Sequence, residues 1–395
     1  MKRILSLVLG AGMLVAVGCQ DARSPTAPAP EAQAVPGGAA GLGSYIVVFK
    51  PGVADAPGLA RFLTQAHGGS LSFTYQHAIQ GFAATLPAAA VTALAHHPNV
   101  AYIEPDQVVT AYTTQTDATW GLDRIDQLSR TLNGTFTYTN TGAGVTAYII
   151  DTGIRFGHSE FGLRAVSGFD AVDGGAADDC NGHGTHVAGT VGGTTYGVAK
   201  GVTLVPVRVL NCSGSGTTSG VIAGIDWVTG VHAAASPAVA NMSLGGGASS
   251  SLDAAVNNSI NDGVSYAVAA GNGNFIGIAQ DACKYSPARV ANAMTISASD
   301  KNDKKASWAN YGKCVDWFAP GVGITSAWYT SSTATNTISG TSMATPHTAG
   351  VAALYLQSNP GASPATVRSA LYALTTKGIV TSSKTTNNHL LFTNF

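Results

Sequence analysis

Val145-Thr146-Ala147-Tyr148-Ile149-Ile150-Asp151-Thr152-Gly153 runs through six strand-forming residues and then turns on a carboxylate. The strand does not alternate apolar with polar, so both of its faces want burial. Four more short apolar runs repeat the pattern at 204–209, 239–243, 265–269 and 294–297. Helical segments are predicted at 183–192, 219–234, 252–262, 342–357 and 364–373. Apolar strands alternating with helices predict an α/β fold with a doubly wound, mostly parallel sheet covered on both faces. Sites in such sheets open at the carboxyl ends of strands, where Asp151 stands. A carboxylate directly after a buried strand is costly unless hydrogen bonds hold it.

Upstream the pattern is different. Residues 45–49, 58–66, 73–75, 81–86, 88–95 and 100–105 read as β-α-β-β-α-β, a small α+β, ferredoxin-like unit. Residues 20–44 are rich in Pro, Ala and Gly and read as a linker. Residues 1–19 have the form of an export signal, with Lys2 and Arg3 before an apolar run too short to span a bilayer comfortably. That run ends at Ala16-Val17-Gly18-Cys19. This resembles the bacterial lipoprotein cleavage box, in which the cysteine carries a lipid; the alternative is ordinary signal cleavage nearby. The expected order is therefore 1–19, 20–44, a small unit from 45, and a larger unit carrying the alternating strands and helices.

Composition narrows the function. Only 10% of the 395 residues are charged and the formal net charge is −1, so no nucleic-acid footprint is present. Hydrophobic residues make up 45%, enough for a large core. Besides Cys19 there are four cysteines, Cys180, Cys212, Cys283 and Cys314. An exported chain is expected to pair them, in any of about three connectivities. A zinc site would want a C-x-x-C pair, and there is none.

Three segments carry chemistry. Asp151-Thr152-Gly153 is shared by aspartic proteases, but those need a second such motif, which is missing. In Asn181-Gly182-His183-Gly184-Thr185-His186, the metal-ligand reading lacks a third ligand. His183, among glycines at a helix start, suits a base or acid; His186 suits packing or hydrogen bonding. In Gly340-Thr341-Ser342-Met343-Ala344-Thr345-Pro346-His347, Ser342 is either a helix cap or a nucleophile. Free N–H groups at that helix start favour an oxyanion.

Taken together, these segments resemble the subtilisin-like serine protease superfamily, in its proteinase K and aqualysin branch, over residues 120–391. The order Asp, His, Ser also differs from that of α/β-hydrolase esterases. The resemblance implies a serine endopeptidase. Ser342 would be its nucleophile, His183 its base and Asp151 the residue orienting the imidazole. Asn272, after Ala269-Ala270-Gly271, would join the Ser342 N–H as an oxyanion donor. Ser243-Leu244-Gly245 and Gly214-Ser215-Gly216 would flank an extended peptide as added strands. Gly245, Ala269, Ala270 and Gly271 would line a roomy apolar pocket for a large apolar or aromatic residue before the scissile bond. Thr218 stands where proteinase K has a bulky aromatic, which changes preferences further along the peptide. A catalytically silent scaffold with this fold is the rival reading, but the triad residues and Asn272 are all there.

The same resemblance implies disulfides Cys180–Cys212 and Cys283–Cys314. It implies structural calcium at Asp316 with the carbonyls of Ala291 and Ala293, and a second site at Asp123, Asp126 and Gln127. It makes residues 45–112 an inhibitor prodomain, released by self-cleavage, with Tyr112 in the apolar pocket and a mature start near Thr113. The expected product is an exported monomer acting on polypeptides, with Cys19 as a candidate lipid anchor.

Overall fold

The computed structural model describes residues 42–106 and 113–395. The signal segment, Cys19, most of the linker and the 107–112 tail with Tyr112 lie outside the described residues. The chain divides into two compact units, split between Val109 and Thr110.

The first unit has the expected order: β1 (Leu42–Phe49), α1 (Ala56–Ala66), β2 (Ser70–Tyr75), β3 (Gly81–Pro87), α2 (Ala88–Ala95) and β4 (Val100–Pro105). Its sheet runs β2-β3-β1-β4, with antiparallel neighbours. Val47, Phe49, Leu63, Phe82, Leu86 and Leu94 form its core. Strand β1 begins at Leu42, three residues before the apolar run, because Leu42, Gly43 and Ser44 pair with Pro87, Leu86 and Thr85. Backbone pairing extends the strand past the residues whose composition announced it.

The second unit opens with β5 (Thr113–Thr116), α3 (Trp120–Ile125), β6 (Thr135–Tyr138), β7 (Thr146–Asp151), β8 (Phe169–Asp170) and α4 (His183–Gly192). It continues through β9 (Thr203–Arg208), α5 (Thr218–Val231), β10 (Ala238–Met242), β11 (Gly246–Gly247), α6 (Ser250–Asp262), β12 (Ser265–Ala269) and β13 (Tyr285–Ser286). It closes with β14 (Met294–Ser299), β15 (Trp317–Pro320), β16 (Ile324–Ala327), β17 (Thr335–Ile338), α7 (Thr341–Ser358) and α8 (Pro364–Leu374). Seven strands form one sheet in the order β15-β14-β12-β10-β7-β9-β8, parallel at every pairing.

Burial explains why β7 lacks alternation. Ala147 and Ile149 enter a core shared with Val187 and Val191 of α4 and Ala349 and Leu354 of α7. Tyr148 and Ile150 enter the opposite core, with Val221 and Ile225 of α5 and Val256 and Ile260 of α6. A parallel sheet between two helical layers buries both faces, so Ala147 to Ile150 runs without a polar residue on alternate positions. Both implied disulfides are present, Cys180–Cys212 and Cys283–Cys314. Among the described residues no helix is long and apolar enough to cross a membrane.

Candidate active site

Asp151 ends β7, at the carboxyl edge of the sheet, and is fully buried. Its Oδ1 accepts the Thr152 N–H at 2.8 Å and lies 2.7 Å from His183 Nδ1. Its Oδ2 is buried with no partner among the described residues. Both hydrogen bonds therefore fall on the one oxygen that faces the imidazole.

His183 is the first residue of α4. The preceding Gly182 has φ +109°, and a Cβ there would come within 2.6 Å of the Trp328 ring. Only glycine fits that entry. Burial works against protonating His183, but the Asp151 charge and hydrogen bond, with Asp179 further off, outweigh it and raise its pKa.

Asp179 holds these two residues in register. Its Oδ1 accepts from Thr152 Oγ1 and the N–H groups of Asn181 and Gly182; Oδ2 accepts from the N–H and Oγ1 of Thr185. Thr152 Oγ1 in turn accepts the Gly184 N–H at 2.8 Å. The carboxylate thus caps the start of α4 and ties it to the turn after β7. His186 bonds through Nε2 to the Ile324 carbonyl at 3.0 Å. Burial drives its pKa down to about 4, so it is a neutral packing residue, as expected.

Ser342 is the second residue of α7. Its Oγ donates to the Ser243 carbonyl at 3.0 Å, and Ser243 Oγ donates back to the Ser342 carbonyl at 2.8 Å. That carbonyl is free because the residue four further on is Pro346, which has no N–H to offer. Asn241 Nδ2 donates to Ser243 Oγ at 2.9 Å. The Ser342 hydroxyl is thus held by Ser243 in this structure, not by His183. Catalytic hydrogen bonds are often long or misaligned in substrate-free structures and tighten once substrate is bound.

Asn272 lies three residues beyond β12. Its Oδ1 accepts from Thr341 N and Thr341 Oγ1, both at 2.9 Å. The amide nitrogen is left to point elsewhere. A Cβ at Gly340 would lie 3.5 Å from Asn272 Nδ2 and 3.5 Å from the Ser342 backbone nitrogen. The Asn272 amide nitrogen and the Ser342 backbone nitrogen are thus neighbours beside the serine.

Ser243 is buried, while Leu244 and Gly245 emerge beyond β10. Gly214, Ser215 and Gly216 sit on an exposed loop that Asn211 folds, through its Oδ1 and the N–H of Ser215. Asn181 Nδ2 and the Cys180–Cys212 disulfide tie that loop to the His183 turn. Ala269 and Ala270 are buried, and Gly271 has φ +99°. Sequence reading assigned no role to Asp179, two residues before the quoted histidine motif, or to Thr341, inside the serine motif. Asp179 bonds mainly to backbone N–H groups and Thr341 to a side chain far off in the chain, and neither leaves a mark in a sequence.

Among the described residues no three His, Cys, Asp or Glu side chains gather around a common metal position. Asp316 Oδ2 accepts the Thr295 N–H and its Oδ1 pairs with Arg368. Asp123 accepts from Gln127 Nε2 and the N–H groups of Asn133 and Gly134. Asp126 Oδ2 accepts the Thr137 N–H, but its buried Oδ1 has no partner among the described residues.

A buried carboxylate bonded to an imidazole at the carboxyl edge of a parallel sheet, with a serine at a helix start, in the chain order Asp, His, Ser, is the arrangement expected of a serine hydrolase. Residues 142–391 match the model of the Subtilase family, and residues 44–112 match Peptidase inhibitor I9. The chain is 54% identical over 375 residues to an extracellular serine proteinase of Thermus sp. (strain Rt41A), covering 89% of this chain and 90% of that one. It is 49% identical over 365 residues to alkaline serine exoprotease A of Vibrio alginolyticus, covering 88% and 67%. A solved cold-adapted subtilisin-like serine proteinase superposes with TM-score 0.68 at 53% identity, over 71% of this chain and all of that one. The chain belongs to the subtilase family. It is a serine endopeptidase of the proteinase K and aqualysin branch, a zymogen with an N-terminal inhibitor prodomain that acts on polypeptides.

Proposed function

We propose that peptide bonds are cleaved through an acyl-enzyme on Ser342. His183 takes the Ser342 proton and hands it to the leaving amine. Asp151 keeps the imidazole in the Nδ1–H tautomer and stabilises its protonated form. Asn272 Nδ2 and the Ser342 N–H receive the oxyanion. The 2.7 Å contact between Asp151 Oδ1 and His183 Nδ1, which orients the imidazole as a base, is the observation that carries this reading.

Residues 243–245 and 214–216 bind substrate backbone, and Gly245 with Ala269, Ala270 and Gly271 forms the pocket before the scissile bond. Small, uncharged walls favour large apolar or aromatic side chains. Mapping the cut sites in a denatured protein digest by mass spectrometry should show Phe, Tyr, Leu or Met enriched about tenfold before the cut over Asp or Lys. A flat distribution would refute the pocket assignment. The domain limits proposed are 45–112 for the inhibitor and 113–395 for the peptidase, separated by self-cleavage. Export is the reading of residues 1–19, in line with the extracellular Thermus relative. Cys19 is the candidate anchor, and a monomer is the proposed state.

Structural calcium belongs to the same reading, and the two candidate sites fit it unequally. At Asp316 one carboxylate oxygen accepts the Thr295 N–H and the other pairs with the Arg368 guanidinium, so a cation there would have to compete with that charge. At the second site burial pushes the Asp126 carboxyl up to about 6, and the neighbouring Asp123 charge adds to this. A partnerless buried oxygen beside a second carboxylate is a donor set that a hard cation satisfies. Asp123, Asp126 and Gln127 would hold calcium there, supplying positive charge that staples α3 to β6. Chelation should lower Tm by several degrees and added calcium restore it, since ligand at about a hundred times its Kd stabilises by about 2.7 kcal/mol. Asp126→Ala should abolish the response; a full response in that variant rules out this site.

A further inference from the structure

Asn272 hangs between two glycines in the left-handed region, Gly271 at φ +99° and Gly273 at φ +85°. Glycine gives such a segment little stiffness of its own. An amide that must point at a developing charge needs to be rigid before the charge appears. Thr341 fixes its Oδ1, but not the backbone on which it rides.

That backbone is gripped by one buried side chain with no part in the chemistry described so far. Asn310 is 1% exposed. Its Nδ2 donates to the Ala270 carbonyl at 2.8 Å, and its Oδ1 accepts the N–H groups of Gly273 at 3.0 Å and Gln280 at 2.8 Å. Its own N–H donates to the Gly271 carbonyl at 2.9 Å, and its carbonyl accepts Ser297 Oγ of β14 at 2.7 Å. The side chain thus clasps the chain on both sides of Asn272, and its own backbone is pinned to the central sheet. A Cβ at Gly271 would come within 2.5 Å of Asn310 Nδ2, so residue 271 is small because this amide lies against it.

We propose that Asn310 is a positioning residue for transition-state stabilisation: it holds the 270–273 segment so that the Asn272 amide faces the oxyanion. This rests on the reading of Asn272 as an oxyanion donor. Asn310 touches no reacting atom and acts only through Asn272.

The test is a double-mutant cycle on the purified mature enzyme with a short chromogenic peptide. Asn310→Asp keeps the shape and the Oδ1 acceptor, but turns an oxygen toward the Ala270 carbonyl. It should lower kcat by about 10- to 100-fold with KM within about threefold, and weaken a tetrahedral-adduct peptide aldehyde in parallel. Asn272→Ala should lower kcat by about 10²–10³. In the Asn272→Ala background, Asn310→Asp should add less than about threefold, because the group it positions is gone. Asn310→Ser, run through the same cycle, covers failure of the aspartate variant to fold. Multiplicative effects, or a rise in KM with kcat intact, overturn the inference while leaving Asn272 as a donor. An unchanged kcat in Asn272→Ala removes the underlying reading, and this inference with it.

Discussion

Ser342→Ala should yield a folded precursor that remains one covalent chain and whose peptidase activity is down about 10⁶-fold, the scale of loss on removing a triad nucleophile. The substitution removes one oxygen, which in this structure only donates to the Ser243 carbonyl. The Ser243 Oγ bond to the Ser342 carbonyl and the Thr341–Asn272 bonds do not involve that oxygen. The stability change should therefore be about 1 kcal/mol or less. Intact-mass measurement of the secreted product separates the outcomes. Wild type should have lost everything up to about residue 112, while the variant keeps residues 45–112 attached. A variant that matures normally when expressed alone would show that another protease makes the cut and that self-processing is wrong.

The parts of this molecule that sequence exposes are those whose physics is periodic or local. Strand β7 declares itself because a strand between two helical layers buries both faces, which leaves Ala147 to Ile150 without polar alternation. The Asp151 turn, the His183 helix start and the Ser342 helix start declare themselves because each sets a polar group among small residues at the end of an apolar run. Strand β15 escaped because Trp317–Pro320 is only four residues long and ends in proline, which composition alone does not separate from a loop. Asp179, Thr341 and Asn310 escaped for a different reason. Asp179 and Asn310 bond largely to backbone N–H and C=O groups, which any residue type can supply, and Thr341 bonds to a side chain 69 residues away in the chain. Pro346 is an instructive intermediate: its place in the helix is visible in the sequence, but the carbonyl it frees matters only once Ser243 is seen to fill it.

Asp151→Asn should lower kcat/KM by about 10⁴-fold, the cost of losing tautomer control over the base, and should also move the pH profile, which a merely structural defect would not do. The imidazole must be neutral to accept the Ser342 proton, so activity falls as pH drops through the His183 pKa. Burial alone would hold that pKa below the ordinary histidine value; the Asp151 charge and hydrogen bond, helped by Asp179, raise it above. The wild-type acid limb should therefore lie at higher pH than free histidine would give. An asparagine keeps the shape but carries no charge. With its Oδ1 still on the Thr152 N–H, a buried amide nitrogen replaces an oxygen that already lacks a partner. If the amide flips, its nitrogen confronts the Thr152 N–H and leaves His183 Nδ1 as acceptor, the wrong tautomer for a base at Nε2. In either orientation the largest influence raising the His183 pKa is gone and burial remains. The acid limb should shift to lower pH while the plateau collapses. Measuring kcat/KM from about pH 4 to 9 in both proteins decides it. A limb that stays in place after the charge is removed would mean that the titrating group is not His183, or that Asp151 does not set its proton affinity.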